Sequence, residues 1–454
     1  MLTQSWAGEN EGRPTRALIH HFEIMSSPKY DVVLYGATGF TGSLTAQYLA
    51  EHPQQPRVAF AGRNRSKLEK VLQQLTNVSK ERVQSIDLVE ASASDKASLI
   101  RMAQSAKVVM NLVGPYSQLG GKDVARAAVE AGAGYVDLTG ETGYYAELVQ
   151  QLHGLAQKTK SIVMPSVGFD SLPFDLGAYL AVQEVKKAAG SEAQVELALC
   201  GYNIKHTVSG GTIATIVGGR DHPEELGYTR PYWFSPVQGA HGQTTAEARY
   251  LPQFNKWGSF SFFTPHNTRV VNRSWGLLEE SAGTRGYGHT FQYLEALVTP
   301  NRVMAYVQTK VFLMLTWLVV HVAFIGNMMR KMVPQGTGGS MEEQLKGYAD
   351  VRTLATAKGT NAKGLSVIQV KGDPGYLKTA SMISETALSI ALDYDKLSPL
   401  AKQGGVLTPA TFGGDVLAER LVKYAGFTIS GADVTQVKDL SKAVQPGKPI
   451  AQSS

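Results

Sequence analysis

The segment from Tyr30 to Gly42 constrains this chain more than any other. Tyr30-Asp31-Val32-Val33-Leu34-Tyr35 reads as a buried strand, and Gly36-Ala37-Thr38-Gly39-Phe40-Thr41-Gly42 follows it directly. Phe40, Leu44 and Tyr48 then recur one turn apart, the period of a helix. Strand, glycine turn and helix in that order let a pyrophosphate reach backbone N–H groups at a helix N-terminus, because no side chain stands in its way. A second strand, Arg57-Val58-Ala59-Phe60-Ala61-Gly62, follows at the spacing of a βαβ unit. The expected contacts to a dinucleotide are therefore Gly36, Thr38, Gly39, Phe40, Thr41 and Gly42.

The end of the second strand chooses between cofactors. An NAD site places Asp or Glu there to bind the ribose hydroxyls, whereas this chain has Arg63-Asn64-Arg65. A charge-assisted contact from Arg63 to a 2′-phosphate is worth roughly 1.5–3 kcal/mol. NADP is the expected cofactor. Ser66 and Glu69 read as a capping box, ahead of an apolar helix face of Leu68, Val71, Leu72 and Leu75.

Strands alternate with helices through Arg82 to Asp87, Val108 to Val113, Tyr135 to Leu138 and Ser161 to Met164. Repeated βα units predict an α/β fold of the Rossmann type, a doubly wound parallel sheet. The Val108 strand runs out at Gly114-Pro115-Tyr116-Ser117, at the carboxyl edge where ligands lie in such sheets. Asn111, Gly114 and Pro115 are expected beside the cofactor, and Tyr116 at the nicotinamide as ring contact or proton donor. The last strand leads into Gly168-Phe169-Asp170-Ser171, which offers Asp170 and Ser171 as polar groups near a substrate carbonyl.

With 454 residues, 43% of them hydrophobic, the chain suits two domains or one with a large insertion. The reading divides it into an N-terminal extension without ordered structure (1–28), the dinucleotide domain (29–178), an α+β substrate domain in two parts (179–302 and 332–454) and an apolar segment (303–331). The net charge of +6 is thinly spread, and no basic block argues for nucleic acid. Cys200 is the only cysteine, so a disulfide framework is excluded, and no His spacing suggests a metal.

Val311 to Met329 form nineteen residues without a formal charge. Three placements fit them: a membrane-associating helix lying in a lipid interface, a spanning helix, or a helix buried in the protein or in a homodimer interface. Thr316, His321 and Asn327 speak against spanning, while Trp317 with Lys310, Arg330 and Lys331 suits an interfacial anchor. Tyr306 and Lys310 match a Tyr-x-x-x-Lys acid–base spacing, but they lie at the mouth of this segment, far from the dinucleotide loop, and the match is set aside. Neither Ser166 nor Ser171 sits in a Gly-x-Ser-x-Gly elbow, which disfavours a hydrolase.

Taken together, Gly36 to Gly42, Ala61-Gly62-Arg63, Asn111 to Tyr116, Tyr135 to Glu141, Gly168 to Pro173, Ser209-Gly210-Gly211-Thr212, Gly372 to Tyr376 and Leu407 to Ala410 make the chain resemble the saccharopine dehydrogenase-like oxidoreductases, which include trans-acting enoyl reductases. One loop departs from that pattern, Pro334-Gln335-Gly336-Thr337-Gly338-Gly339. The resemblance implies NADP-dependent reduction of a double bond or carbonyl in glycolipid or related lipid metabolism. It further implies a lipid or lipid-linked substrate and a lipid-droplet or endoplasmic-reticulum surface facing the cytosol. A saccharopine-type amino-acid reductase in the cytoplasm and a non-catalytic lipid-droplet protein that keeps the nucleotide fold are the alternatives.

Overall fold

A computed structural model of the chain describes residues 28–207, 230–240, 246–282, 286–322, 324, 328 and 339–443. The expected extension up to residue 27, the Ser209–Thr212 stretch, Arg330 with Lys331 and most of the Pro334–Gly339 loop lie outside them. The strands are β1 (Tyr30–Tyr35), β2 (Val58–Gly62), β3 (Asp87–Glu90), β4 (Ala106–Asn111), β5 (Gly134–Asp137), β6 (Ile162–Met164), β7 (Val195–Lys205), β8 (Arg249–Leu251), β9 (Lys256–Ser259), β10 (Gln292–Thr299), β11 (Tyr348–Ala357), β12 (Lys363–Lys371), β13 (Gly405–Val406) and β14 (Phe427–Asp433). The helices of eight residues or more are α1 (Phe40–Glu51), α2 (Arg65–Gln74), α3 (Lys96–Gln104), α4 (Gly121–Glu130), α5 (Thr142–Thr159), α6 (Leu172–Ala189), α7 (Thr264–Ala282), α8 (Arg302–His321), α9 (Leu377–Leu392) and α10 (Pro409–Ala425).

The first sheet has seven parallel strands in the order β13-β6-β5-β4-β1-β2-β3. Val32, Leu34, Phe60, Val108 and Met110 are buried on one side, and Val33, Ala59 and Val109 on the other. Burial on both faces is why these strands read as nearly unbroken apolar runs. The order reverses between β1 and β4, so the crevice for a ligand opens at their carboxyl ends, where Gly36 and Asn111 sit. The second sheet is mixed, in the order β14-β12-β11-β7-β10-β9-β8, and α6 lies between its strands β11 and β12 and helix α10.

The stretch after residue 332 serves both sheets rather than the second alone. β13 pairs with β6, and α9 packs on α1, β1, β4 and β5. A buried polar cluster holds this return in place. In it the Glu385 carboxylate of α9 accepts from Tyr48 Oη at 2.6 Å and from Arg420 Nε at 2.8 Å, and lies 3.0 Å from His52 Nε2. Arg420 also donates to Asp393 at 2.6 Å and to Gln54 at 2.7 Å. Each charge here is matched, the condition under which buried ions are tolerated.

Two local expectations change. Asn64, not Ser66, caps α2: its Oδ1 accepts from Lys67 N at 3.0 Å and from Ser66 Oγ at 2.9 Å, and Glu69 pairs with Arg65 instead. Asparagine one residue ahead of the first helical position takes the role because its oxygen reaches the orphan N–H. In the apolar segment, no helix among the described residues is long and apolar enough to cross a membrane, which corrects the spanning placement. α8 opens at Arg302, carries Lys310 at its middle and ends at His321, with Val322 extended. Ala305, Thr309 and Val319 are buried, and Thr309 Oγ1 accepts from Phe260 N at 3.1 Å. Val303, Met304, Val307, Met314, Leu315 and Trp317 point outward and are exposed, so within a single chain the helix is not buried either. The aromatic loops pack as core: Phe234 stacks on Tyr145 at 4.1 Å, and Tyr232 lies against Trp275.

Replacing Arg420 with Ala would leave Glu385 buried without its strongest partner. Chemical denaturation should show a loss of roughly 3–5 kcal/mol; a change below 1 kcal/mol would mean the cluster does not hold α9 on α1.

Candidate functional site

The dinucleotide loop is shaped by what it lacks. Gly36 has φ of +96°, and a Cβ there would stand 2.8 Å from Val113 Cγ2. A Cβ on Gly42 would stand 2.1 Å from the Gly36 carbonyl oxygen, so the first turn of α1 lies directly on the loop. Gly39 differs. The nearest atom to a Cβ there is the Gly36 oxygen at 3.5 Å, and Thr38 and Gly39 are both exposed. This is open space of the kind a bound group fills.

Gly39 is the N-cap of α1 without a side-chain hydrogen bond, and the first turn holds no acidic residue. Its outward N–H groups and partial positive charge are left for an external anion. At the other end of the expected dinucleotide, Arg63 is exposed just past β2 and forms no ion pair among the described residues, while Arg65 is engaged by Glu69. Thr41 is half-buried, its carbonyl accepting from Thr45 Oγ1 at 2.8 Å, and the Phe40 ring meets the Tyr376 ring edge-on at 5.4 Å. Together these residues fit a phosphorylated dinucleotide.

The carboxyl edge of β4 is built differently from expectation. The Asn111 side chain is fully buried and spent: Nδ2 donates to Tyr135 Oη at 3.1 Å and Oδ1 accepts from Val113 N at 3.0 Å. Tyr116 is also committed, since its hydroxyl donates to the Asn111 carbonyl at 3.1 Å and accepts from Leu138 N at 3.0 Å. Its ring stacks on Tyr144 at 5.4 Å, and burial pushes its hydroxyl pKa well upward. Both side chains fix the loop rather than face a ligand. Gly114 is exposed and Pro115 half-buried, so their backbone still borders the crevice. Glu141, at the N-cap of α5, clasps the loop by accepting from Tyr116 N at 2.6 Å, from Ser117 N at 3.0 Å and from the Ser117 hydroxyl.

Below the loop a buried network ties the two sheets together. Asp137 accepts from Thr139 N, Ser166 N and Tyr135 Oη, and desolvation carries its carboxyl up to about 7. Ser166, at φ of +60°, donates to the Thr139 carbonyl at 2.6 Å and lies 3.0 Å from His266 Nε2. His266 on α7 is buried, and its pKa is pushed down to about 3 by that burial and by Arg269, so it stands there as a neutral ring.

Asp170 and Ser171 part company. Ser171 is buried and donates to Asn267 Oδ1 at 2.9 Å, and Asn267 in turn donates to Glu295, so this hydroxyl belongs to the packing of α7 on α6. Asp170 stays open to solvent at the start of α6. Its carboxyl is nevertheless ringed by protein, and loss of hydration holds it up to about 6 against the opposing pull of His206. Its neighbour Phe169 is anchored by its N–H to Thr379 Oγ1 at 3.0 Å, which brings the first turn of α9 to the same place.

His206, Tyr376 and Glu141 are residues of this region that the sequence reading did not single out, as is Asp373, which accepts from Tyr376 N at 3.0 Å. Asp373, Tyr376 and Glu141 lie inside stretches that carried the resemblance, which was the available signal; nothing local marks His206.

The geometry defines a dinucleotide-binding oxidoreductase with a second domain beside the sheet edge. The sequence pattern of the saccharopine dehydrogenase NADP-binding domain matches residues 32–164. A Mycobacterium tuberculosis protein named as a trans-acting enoyl reductase is 34% identical over 414 residues, 87% of this chain and 95% of its own length. The trans-acting enoyl reductase of Mycobacterium bovis is 32% identical over 418 residues, 87% of this chain and 96% of its own. Apo saccharopine dehydrogenase (L-Glu forming) from Saccharomyces cerevisiae overlays 89% of this chain and 100% of its own at 12% identity, with a TM-score of 0.49. The chain belongs to the saccharopine dehydrogenase-like oxidoreductases, and NADP is its cofactor.

The glycines separate folding from binding. Gly42→Ala should disrupt α1 and lower the melting temperature by several degrees. Gly39→Ala, at a φ of −79° with open space around it, should leave stability unchanged yet weaken NADPH binding by about tenfold or more. Fluorescence titration of both variants checks this, and unaltered affinity in Gly39→Ala would remove the pyrophosphate from this loop.

Proposed function

We propose that this protein uses NADPH to reduce a double bond or carbonyl of a lipid-type substrate while resting on a lipid surface. The observation that carries the reading is the combination of an uncapped, arginine-flanked dinucleotide loop with an apolar helix face left exposed among the described residues. NADPH supplies the hydride. The chain's own residues hold the pyrophosphate at Gly36 to Gly42, meet the 2′-phosphate with Arg63 and place the Asp170 carboxyl at the carboxyl edge of the sheet. A carboxyl with a pKa of about 6 is partly protonated near neutrality, which suits a proton donor. The names of the relatives support an enoyl group over a carbonyl.

The lipid surface is argued from α8. A helix of 20 residues lying flat covers about 30 Å. Trp317 is 57% and Met314 54% exposed on its outer side. Between Glu295 and Glu342 the chain holds no acidic residue but four cations, Arg302, Lys310, Arg330 and Lys331, which favours an anionic interface. A lipid droplet or the cytosolic face of the endoplasmic reticulum is such a surface.

Two experiments test the reading. Purified protein with NADPH and trans-2-decenoyl-N-acetylcysteamine should yield the saturated thioester by mass spectrometry, and Arg63→Ala should weaken NADPH by about 10–100-fold, in line with roughly 1.5–3 kcal/mol for the lost contact, with little effect on NADH. Unchanged NADPH affinity in that variant would refute the 2′-phosphate assignment. In flotation with vesicles containing one-third phosphatidylserine, wild type should rise with the lipid and a Val307→Ser, Met314→Ser, Leu315→Ser variant should stay at the bottom; equal behaviour of the two would end the surface claim.

A further inference from the structure

A line of aromatic rings joins the Asp170 turn to helix α8. Phe169, one residue before Asp170, meets Phe174 of α6 edge-on at 5.8 Å, and Phe174 meets Tyr202 of β7 at 5.0 Å. Tyr202 lies 6.5 Å from Phe263, Phe263 lies 6.2 Å from Phe262, and Phe262 lies 6.3 Å from Phe312 of α8. Hydrogen bonds fix the same path. Ser171 donates to Asn267 Oδ1 at 2.9 Å and Asn267 N donates to the Phe263 carbonyl at 2.9 Å, so the turn that opens α7 is tied to the turn that opens α6. At the far end Phe260 N donates to Thr309 Oγ1 of α8 at 3.1 Å, and the Phe260 ring meets Phe312 at 5.9 Å.

The line changes character along its length. Phe169, Phe174, Tyr202 and Phe260 are buried, whereas Phe262, Phe263 and Phe312 are only half-buried. A phenyl ring gains most when its whole surface leaves water, so three adjacent rings that each stop halfway make a patch that an apolar ligand completes. Phe312 and Leu315 stand three residues apart on α8 and are neighbours on one helix face, and Leu315 is 51% exposed. The half-open rings therefore continue the outward apolar face of α8. In the other direction they reach, through Asn267 and Ser171, the turn that carries Asp170.

We propose that Phe262, Phe263 and Phe312 form the seat of the substrate's acyl chain, holding it between the exposed face of α8 and the Asp170 turn. The proposal rests on the reading of a lipid-type substrate and names the part of the chain that selects it by acyl length. Its chemistry is contact with hydrocarbon alone: the three side chains carry no polar atom, so they bind the tail and leave orientation of the reacting group to the sheet edge.

Two measurements test this seat. In steady-state kinetics with thioesters that differ only in chain length, wild type should prefer trans-2-decenoyl- over trans-2-butenoyl-N-acetylcysteamine by about tenfold or more in kcat/KM, because the longer chain has more apolar surface to bury. Phe262→Ala and Phe263→Ala should each bring that ratio close to one, chiefly through a higher KM for the decenoyl thioester. In wild type, decanoyl-N-acetylcysteamine carrying a diazirine at its terminal carbon should on irradiation label the peptide that contains Phe260 to Phe263 or the one that contains Phe312. An unaltered ratio in both variants, or a label on other peptides, would overturn the proposal. If a variant fails to fold, the labelling of wild type decides. A wild type that reduces neither thioester would count against the proposed function, and the labelling would still settle whether the acyl seat exists.

Discussion

The open N-terminus of α1 is the constraint on which the rest of the structure depends. A helix end with no side-chain cap and no acidic residue in its first turn leaves N–H groups without a partner among the described residues, which is unfavourable until an anion arrives. The fold keeps this end in place by fastening the other. Tyr48 and His52 near the C-terminus of α1 meet Glu385, which Arg420 and Asp393 complete, so α9 and α10 hold α1 from behind. The chain travels more than three hundred residues past the loop before supplying that support.

The same return brings chemistry to the front of the sheet. Because α9 lies across β1, β4 and β5, its first turn reaches the carboxyl edge, where Tyr376 touches Phe40 and Thr379 holds Phe169. The second sheet delivers His206 to the same place through Asp373. The start of one helix therefore borders both the dinucleotide loop and the Phe169–Ser171 turn.

The parts of this arrangement legible in the sequence are those fixed by local periodicity and missing side chains. The apolar runs of β1, β2 and β4, the glycine turn and the arginine after β2 each follow from neighbours within a few residues. Their order along the chain gives the parallel sheet of βα units. Side-chain direction was not legible in this way. Asn111, Tyr116 and Ser171 stand at the carboxyl edge as expected, yet each turns inward because a partner distant in sequence or across the loop, Tyr135, Leu138 or Asn267, takes its polar atoms. Long-range pieces were equally hidden: β13 is a two-residue strand, too short to carry a pattern, and His206 has no motif around it. The apolar segment was legible in composition, but Lys310 and the end of the helix at His321 decide its form.

The central claim is that the Gly36 loop and Arg63 together hold a phosphorylated nicotinamide dinucleotide. Isothermal titration of the purified protein with NADPH and with NADH, side by side at low salt, addresses it most directly. Saturable binding of NADPH at least about tenfold tighter than NADH agrees with the account. Equal affinity for the two, or no heat with either, contradicts it.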